Sequence, residues 1–346
     1  MTKMVADIER ETLLERGLEK LHTLGQNIKT MRPPEATERN WDAEDELQHW
    51  VGAYVRNIAI NYGTIIRSRH IGPIEKLFKD GTPAAVVGAG PSLDKNAKNL
   101  RYFPGIIIAS DRAAKSLTAQ DIAPDIVVAV DPRPYHIAKM LDYPENKEQL
   151  LIASVCIHPD VVKAWKGRLM FMSHMNPGTQ FFDHVLPEVF PDMPGLYVMG
   201  NVGNMCVQLA AYMGCGKIVL VGQDYGYTGG KMHADDWFRT PAGWMREEKN
   251  HAADLARRTG KLIVDGIETY APYVSYRKSL MNLVEEWRLS VVNATEGGIL
   301  TGLPREKLSN LVKSIKNNKA HEARTLLKQA TGGIYGSNSQ PAARAG

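Results

Sequence analysis

The residues best suited to chemistry in this chain follow short apolar runs. The first run ends in Gly88-Ala89-Gly90-Pro91-Ser92-Leu93. Two glycines let backbone approach a ligand closely, and proline fixes a turn where no N–H is needed. A serine hydroxyl can cap a helix or bond a phosphate oxygen, and a helix N-terminus favours an anion. Gly88, Gly90, Pro91 and Ser92 are therefore the parts of an expected phosphate seat. Leu93 excludes the dinucleotide fingerprint G-x-G-x-x-G, and the lack of Gly-Lys-Ser/Thr excludes a Walker P-loop.

Later runs end in groups of the same kind. Asp111 follows Ser110, and Asp131 precedes Pro132 and Arg133. Each aspartate can hold a ribose hydroxyl, carry Mg²⁺ through water or act as a base. The competing roles are a helix cap for Asp111 and a turn before proline for Asp131. Asn201 and Asn204, in Gly200-Asn-Val-Gly-Asn, pair donor with acceptor and suit a base edge or sugar hydroxyl, with helix capping as the alternative for Asn201. Gln223-Asp224 follow a strongly apolar run and, with Tyr225 and Tyr227, can wall a pocket. His233 lies in a glycine-containing loop beside Asp235 and Asp236, where it is either a general base or a solvated surface residue. His174 has the same standing after another run. The last run leads into Asn293-Ala294-Thr295-Glu296-Gly297-Gly298, which contributes Asn293, Glu296 and Gly297 to the candidate set.

Those residues need a scaffold that puts them on one edge. The runs are 84–87, 105–109, 126–130, 150–155, 169–172, 196–199, 218–221 and 290–292, with helix-compatible segments at 93–100, 112–120, 134–142, 159–166 and 202–213. Continuous apolar runs alternating with helices predict an α/β, doubly wound, mostly parallel Rossmann-like sheet covered on both faces. Ligands of such sheets bind outside the carboxyl ends of the strands, where these polar residues fall. Residues 1–80 read as an N-terminal helical region and 81–305 as the sheet domain. A basic C-terminal helix and a disordered Gly/Ser/Pro-rich tail then occupy 306–346.

With 346 residues, 44% hydrophobic and 23% charged, the chain can build a sizeable core. A net charge of +4 is too small to argue for nucleic acid, and none is expected as partner. Cys156, Cys206 and Cys215 lack metal-ligand spacing, so no metal is expected on them, and an odd count without a secretory signal points to the cytoplasm. No apolar run reaches the roughly 20 residues of a membrane span. Association of the chain with itself is left open.

The stretch Gly88 to Lys95 resembles the opening motif of the motility-associated-factor (Maf) flagellin glycosyltransferases. Their central domain is grouped with the archaeal 6-hydroxymethylpterin diphosphokinase (MptE-like) proteins. The resemblance continues through Asp121-Ile122-Ala123-Pro124-Asp125, Val130-Asp131-Pro132, Gly222-Gln223-Asp224, Met232-His233-Ala234 and Asn293–Gly298, over about residues 60–305. The pterin branch implies an ATP- and Mg²⁺-dependent diphosphokinase with paired carboxylates after two strands. This chain instead has Ser110-Asp111-Arg112-Ala113 and Val130-Asp131-Pro132-Arg133. One carboxylate of the pair is missing, and arginines stand close by. The Maf branch implies transfer of a CMP-linked nonulosonic sugar to an unidentified acceptor, with no cofactor required. On that reading Asp131 or His233 is the base, and Arg133 pairs with the donor's phosphate or carboxylate. The expected activity is therefore a nucleotide-sugar transferase. The diphosphokinase is the alternative, and a nucleotide-binding module without turnover is the second alternative.

Overall fold

The computed structural model describes residues 41–132, 148–175, 181–234, 253, 256–257, 259–315 and 318–332, with backbone alone over 41–49. The first element is α1 (Trp41–Ile65), whose Tyr54, Ile58 and Ile65 enter the core. The sheet is built from β1 (Arg69–His70), β2 (Ala84–Val87), β3 (Ile106–Ser110), β4 (Ile126–Ala129), β5 (Leu150–Ser154), β6 (Arg168–Met175), β7 (Gly195–Tyr197), β8 (Ile218–Val221) and β11 (Val291–Asn293). Its order is β1-β6-β5-β4-β3-β2-β8-β11, with β7 also on β6, and every pairing is parallel. A separate antiparallel hairpin joins β9 (Lys261–Val264) to β10 (Ile267–Tyr270).

Strand residues alternate between two cores. Ala85, Val87, Ile107, Ala109 and Val127 meet α1, α2 (Leu93–Asn96), α3 (Asp111–Thr118), α4 (Pro159–Ala164), α5 (Leu186–Val189) and α8 (Leu308–Ser314). Ala84, Val86, Ile106, Ile108 and Ile126 meet α6 (Val202–Tyr212), α7 (Ala271–Glu286) and α9 (Ala320–Thr331). This is the three-layer α/β arrangement that the uninterrupted apolar runs require, since both faces of every central strand are covered.

Three features depart from the sequence reading. Within the region read as helical, Arg69–His70 forms an edge strand, β1, while α1 packs on the sheet domain as a helix. The basic C-terminal stretch forms two helices, α8 and α9, on opposite faces. The fifth run extends to Met175, so Ser173 and His174 belong to a strand and not to the turn after it. The segments at 1–40, 134–142 and 333–346 fall outside the described residues.

Candidate functional site

Strand order reverses between β2 and β8. The chain adds β3 to β6 on one side of β2 and later β8 and β11 on the other, so the loops after β2 and β8 leave on opposite faces. A crevice opens at such a point. The two loops are tied together: the Gly88 N–H donates to Val221 O at 2.9 Å and that of Gly90 to Gly222 O at 2.8 Å. Glycine is needed here, because a Cβ on Gly88 would sit 2.6 Å from Gly222 O.

In the turn at 88–93 the serine expected to meet a phosphate oxygen is bonded to Asp224. The Ser92 hydroxyl donates to Asp224 Oδ1 at 2.6 Å, and the Ser92 N–H to Asp224 Oδ2 at 3.2 Å. Leu93 N–H turns back to Gly90 O. The Asp224 carboxylate thus takes the place in which a phosphate oxygen was expected, and Thr228 Oγ1 completes its shell at 2.5 Å. Ser92 neither caps α2 nor faces solvent. Burial pushes the Asp224 carboxyl above its ordinary value, against the opposing effect of the hydrogen bonds from Ser92 and Thr228 and of nearby Lys95. Gly297 lies against the same knot, its missing Cβ 2.8 Å from Ser92 Cβ and 3.1 Å from Asp224 Oδ2. Pro91 is buried within it.

Other expected contacts are also committed to the protein's own groups. Asn204 is fully buried, donates to Met199 O (3.0 Å) and Tyr276 O (2.9 Å), and accepts from Tyr225 OH (2.6 Å). Asn293 donates to Leu300 O at 3.0 Å and accepts from Thr295 N–H at 2.9 Å. Glu296, at φ +60°, accepts from Asn96 Nδ2 at 3.2 Å and from the Leu308 N–H at 3.1 Å, so it ties the start of α8 to α2. These three hold loops in place where donor contacts were expected. Asn201 takes its alternative role: it caps α6, accepting from Asn204 N–H at 2.8 Å.

What faces the crevice is the first turn of α6 and Gln223. The first N–H groups of an α-helix have no intrahelical acceptor, and the helix dipole makes that end favourable to an anion. Gln223 is 4% exposed and lies between two glycines. Its terminal amide atoms come within 2.5–3.0 Å of where a Cβ would be on Gly88 or Gly203. Its Nε2 is buried and finds no acceptor among the described residues. A buried donor left unpaired costs about 1–3 kcal/mol, so the site carries a vacant hydrogen-bonding position beside a helix N-terminus.

The start of α3 comes close to the same helix. Asp111 raises the pKa of Cys206 on α6 by its charge, second to burial, and Arg112 acts electrostatically on Tyr273 of α7. Asp111 Oδ1 also accepts the Arg112 N–H at 2.7 Å. Tyr227, Tyr273 and Tyr276 form an aromatic wall there, with centroid separations of 6.2 and 6.0 Å. Asp131 is half-buried after β4. His233 is half-buried, and Ala234 N–H donates to Ala89 O at 2.9 Å, which brings this loop against the 88–93 turn. Arg133, Asp235 and Asp236 lie outside the described residues. Among the described residues no three His, Cys, Asp or Glu side chains converge as a metal site, and no helix is long and apolar enough to cross a membrane.

His174 is not a base at the strand end. It is buried beneath Tyr54, Phe181 and Phe182, its Nδ1 is 2.8 Å from Ser154 Oγ, and burial lowers its pKa to about 3. The sequence reading also missed Thr228 and Asn57. Asn57 carried a legible signal, since Asn57 and Asn61 interrupt an apolar helical stripe four residues apart. Thr228 carried none.

Comparison with known proteins matches this architecture. A 6-hydroxymethylpterin diphosphokinase of Methanothermobacter thermautotrophicus, named as 6-hydroxymethyl-7,8-dihydropterin pyrophosphokinase, is 32% identical over 144 residues. That match takes in 41% of this chain and 56% of the relative, so it spans only about half the relative's length. The Maf glycosyltransferase from Magnetospirillum magneticum AMB-1 superposes with a TM-score of 0.52 at 16% identity, over 76% of this chain and 38% of that one, and shares the fold. The sialyltransferase CstII from Campylobacter jejuni, solved with CMP-3FNeuAc, superposes loosely, with a TM-score of 0.37 at 14% identity over 66% of this chain and 88% of that one. The sequence pattern described as 6-hydroxymethylpterin diphosphokinase MptE-like matches residues 56–230, which run from α1 through the crevice loops. On that match, over half of its length, the chain belongs to the MptE-like family.

Proposed function

We propose that this chain is a transferase acting on a nucleotide-activated sugar, with a CMP-linked nonulosonic acid as donor. The observation that carries the reading is the character of the groups at the crevice. Asp224, the carboxylate nearest the turn, is bonded to Ser92 and Thr228. The group beside the α6 N-terminus is the neutral amide of Gln223. Neutral donors and a helix dipole suit the single phosphate of a CMP leaving group, whose charge grows as the glycosidic bond breaks.

In this reaction the bond between the anomeric carbon and the phosphate oxygen breaks, and CMP departs toward the first turn of α6. The acceptor oxygen bonds to the anomeric carbon, and its proton passes to Asp131, or to His233 from the loop over Ala89. Arg112 and Arg133 add positive charge for the donor's phosphate or carboxylate.

The second reading is supported by the 32% identical relative named as a pyrophosphokinase. There a pterin hydroxymethyl oxygen attacks the β-phosphorus of ATP and AMP leaves. Mg²⁺ would fall to Asp111 and Asp131, because the oxygens of Asp224 already have partners. One panel separates the two. Thermal stabilisation by CMP, with CMP released from CMP-N-acetylneuraminate, is the expected result. Stabilisation by ATP–Mg²⁺ alone, with AMP released when 6-hydroxymethyl-7,8-dihydropterin is added, would replace the sugar reading with the second. Binding of CMP without turnover of either donor would point to a nucleotide-binding module.

A further inference from the structure

Asn57, on α1, is 1% exposed and uses one amide nitrogen twice. Nδ2 donates to Pro132 O at 3.0 Å and to Cys156 O at 3.1 Å, so one side chain joins the exits of β4 and β5. One turn later Asn61 donates to Ile157 O at 2.9 Å. Cys156 is held on its other side by the preceding peptide, where its N–H donates to Ser154 Oγ at 3.0 Å. Ser154 Oγ also makes a hydrogen bond with His174 Nδ1, 2.8 Å away. His174 Nε2 is buried and has no partner among the described residues. Hydrogen bonds thus link His174 to Ser154 and Ser154 to the Cys156 N–H, and across the Cys156 Cα its carbonyl meets Asn57, which also holds Pro132.

The proline so held follows Asp131. A residue before proline is restricted to extended conformations. Its position is therefore fixed by β4 on one side and by whatever holds the proline carbonyl on the other. We infer that Asn57 is a positioning residue for Asp131, and that the Ser154–His174 pair fixes the second carbonyl Asn57 needs. The inference rests on Asp131 being the base of the proposed transfer. It accounts for Asn57, buried on an otherwise apolar helix face, and for the buried contact between Ser154 and His174.

Asn57→Asp keeps the shape of the side chain and removes both donors. In the full chain, with CMP-N-acetylneuraminate as probe, it is expected to lower the kcat of CMP release at least tenfold while KM stays within twofold. Ser154→Ala is expected to give a smaller fall in kcat of the same kind, and it decides the matter if Asn57→Asp does not fold. Urea unfolding confirms that each variant tested is native. Wild-type kcat in folded Asn57→Asp, or a rise in KM in place of the fall in kcat, overturns the positioning role. Asp131→Asn separates the two failures: if it is inactive while Asn57→Asp is unaffected, only the inference falls. If Asp131→Asn keeps wild-type kcat, or the parent protein releases no CMP, the base reading falls and takes the inference with it.

Discussion

The two ends of the parallel sheet use polar groups in opposite ways. At the amino end the groups are paired, and the partners come from the last helix. Arg324 of α9 meets Asp125 at 2.6 Å, Lys319 meets Asp80 at 2.8 Å, and Lys328 pairs with Glu148. Arg168 bonds Thr331 at 2.5 Å, and Arg69 bonds Ala330 O at 2.9 Å. At the carboxyl end, neutral groups are held tightly and some are left short of partners: Gln223 Nε2, His174 Nε2 and Asn96 Oδ1 are buried without one among the described residues. The separation is not absolute, since Gln149 Oε1, at the amino end, is also without a partner. One end closes the fold, and the other keeps hydrogen-bonding capacity in reserve. Stability and ligand binding should therefore respond to different substitutions.

The largest effect is expected at the amino end. Arg324→Met takes from buried Asp125 the cation bonded to it, leaving the Ile107 N–H and the charge of Arg168, and burial already pushes that carboxyl above its ordinary value. A loss of about 3–5 kcal/mol in urea unfolding is expected. Adding Asp125→Asn should recover part of it, and CMP binding by the folded fraction should not change. A comparable loss of CMP affinity would break the division between the two ends.

Acid gives an intermediate effect. His174 is neutral in the fold with its pKa lowered to about 3, against 6.5 for the free side chain. A depressed value contributes stability in full above pH 6.5, and that stability drains away as pH falls toward 3. Between pH 6.5 and 4.5 the parent should lose about 2–3 kcal/mol that His174→Gln does not lose, at roughly 1.4 kcal/mol per unit. Asp125 and Asp224 act in the other direction. Their raised values add stability in acid that is lost as pH rises through the folded values, so the difference between parent and variant isolates the histidine. Equal slopes in the two proteins would mean that His174 is not held neutral by burial.

The smallest effect on stability is expected at Gln223. Gln223→Leu removes an unpartnered amide from between Gly88 and Gly203, so unfolding should be unchanged or shifted up by about 1 kcal/mol. CMP binding should weaken at least tenfold by calorimetry. A variant that loses stability and keeps affinity would make Gln223 a packing residue and erase the contrast.

How much of this was legible in the sequence follows the same division. The central strands could be read because runs such as Ile106–Ile108 and Ile218–Val221 are buried on both faces and carry no other pattern. Strand β1 could not, because Arg69 and His70 are both exposed and the strand is two residues long. The edge bearing the site was legible from the residues after each strand. The internal use of those residues was not. Ser92 and Asp224 are 132 positions apart, and nothing local says that one satisfies the other. Glu296 reads as a ligand contact until Leu308 is seen to need an acceptor. The sequence shows which donors exist, and only the fold shows which of them are already used.

Asp224 makes several distant positions heritable as one unit. Gly90, Gly297 and Gly298 each lack a side chain where Asp224 passes; a Cβ on Gly90 or Gly298 would collide with it outright. Ser92 and Thr228 supply its donors. None of these residues can drift alone without leaving either a clash or an unpaired charge. A lineage that replaced Asp224 would free Ser92 and Thr228, while Gly298, at φ +70° and against the backbone of residue 224, and Gly90, against Gly222 O, would stay fixed. Chains of this family should therefore keep or lose Ser92, Thr228 and Asp224 together, with few in between, and keep Gly90 and Gly298 in either case.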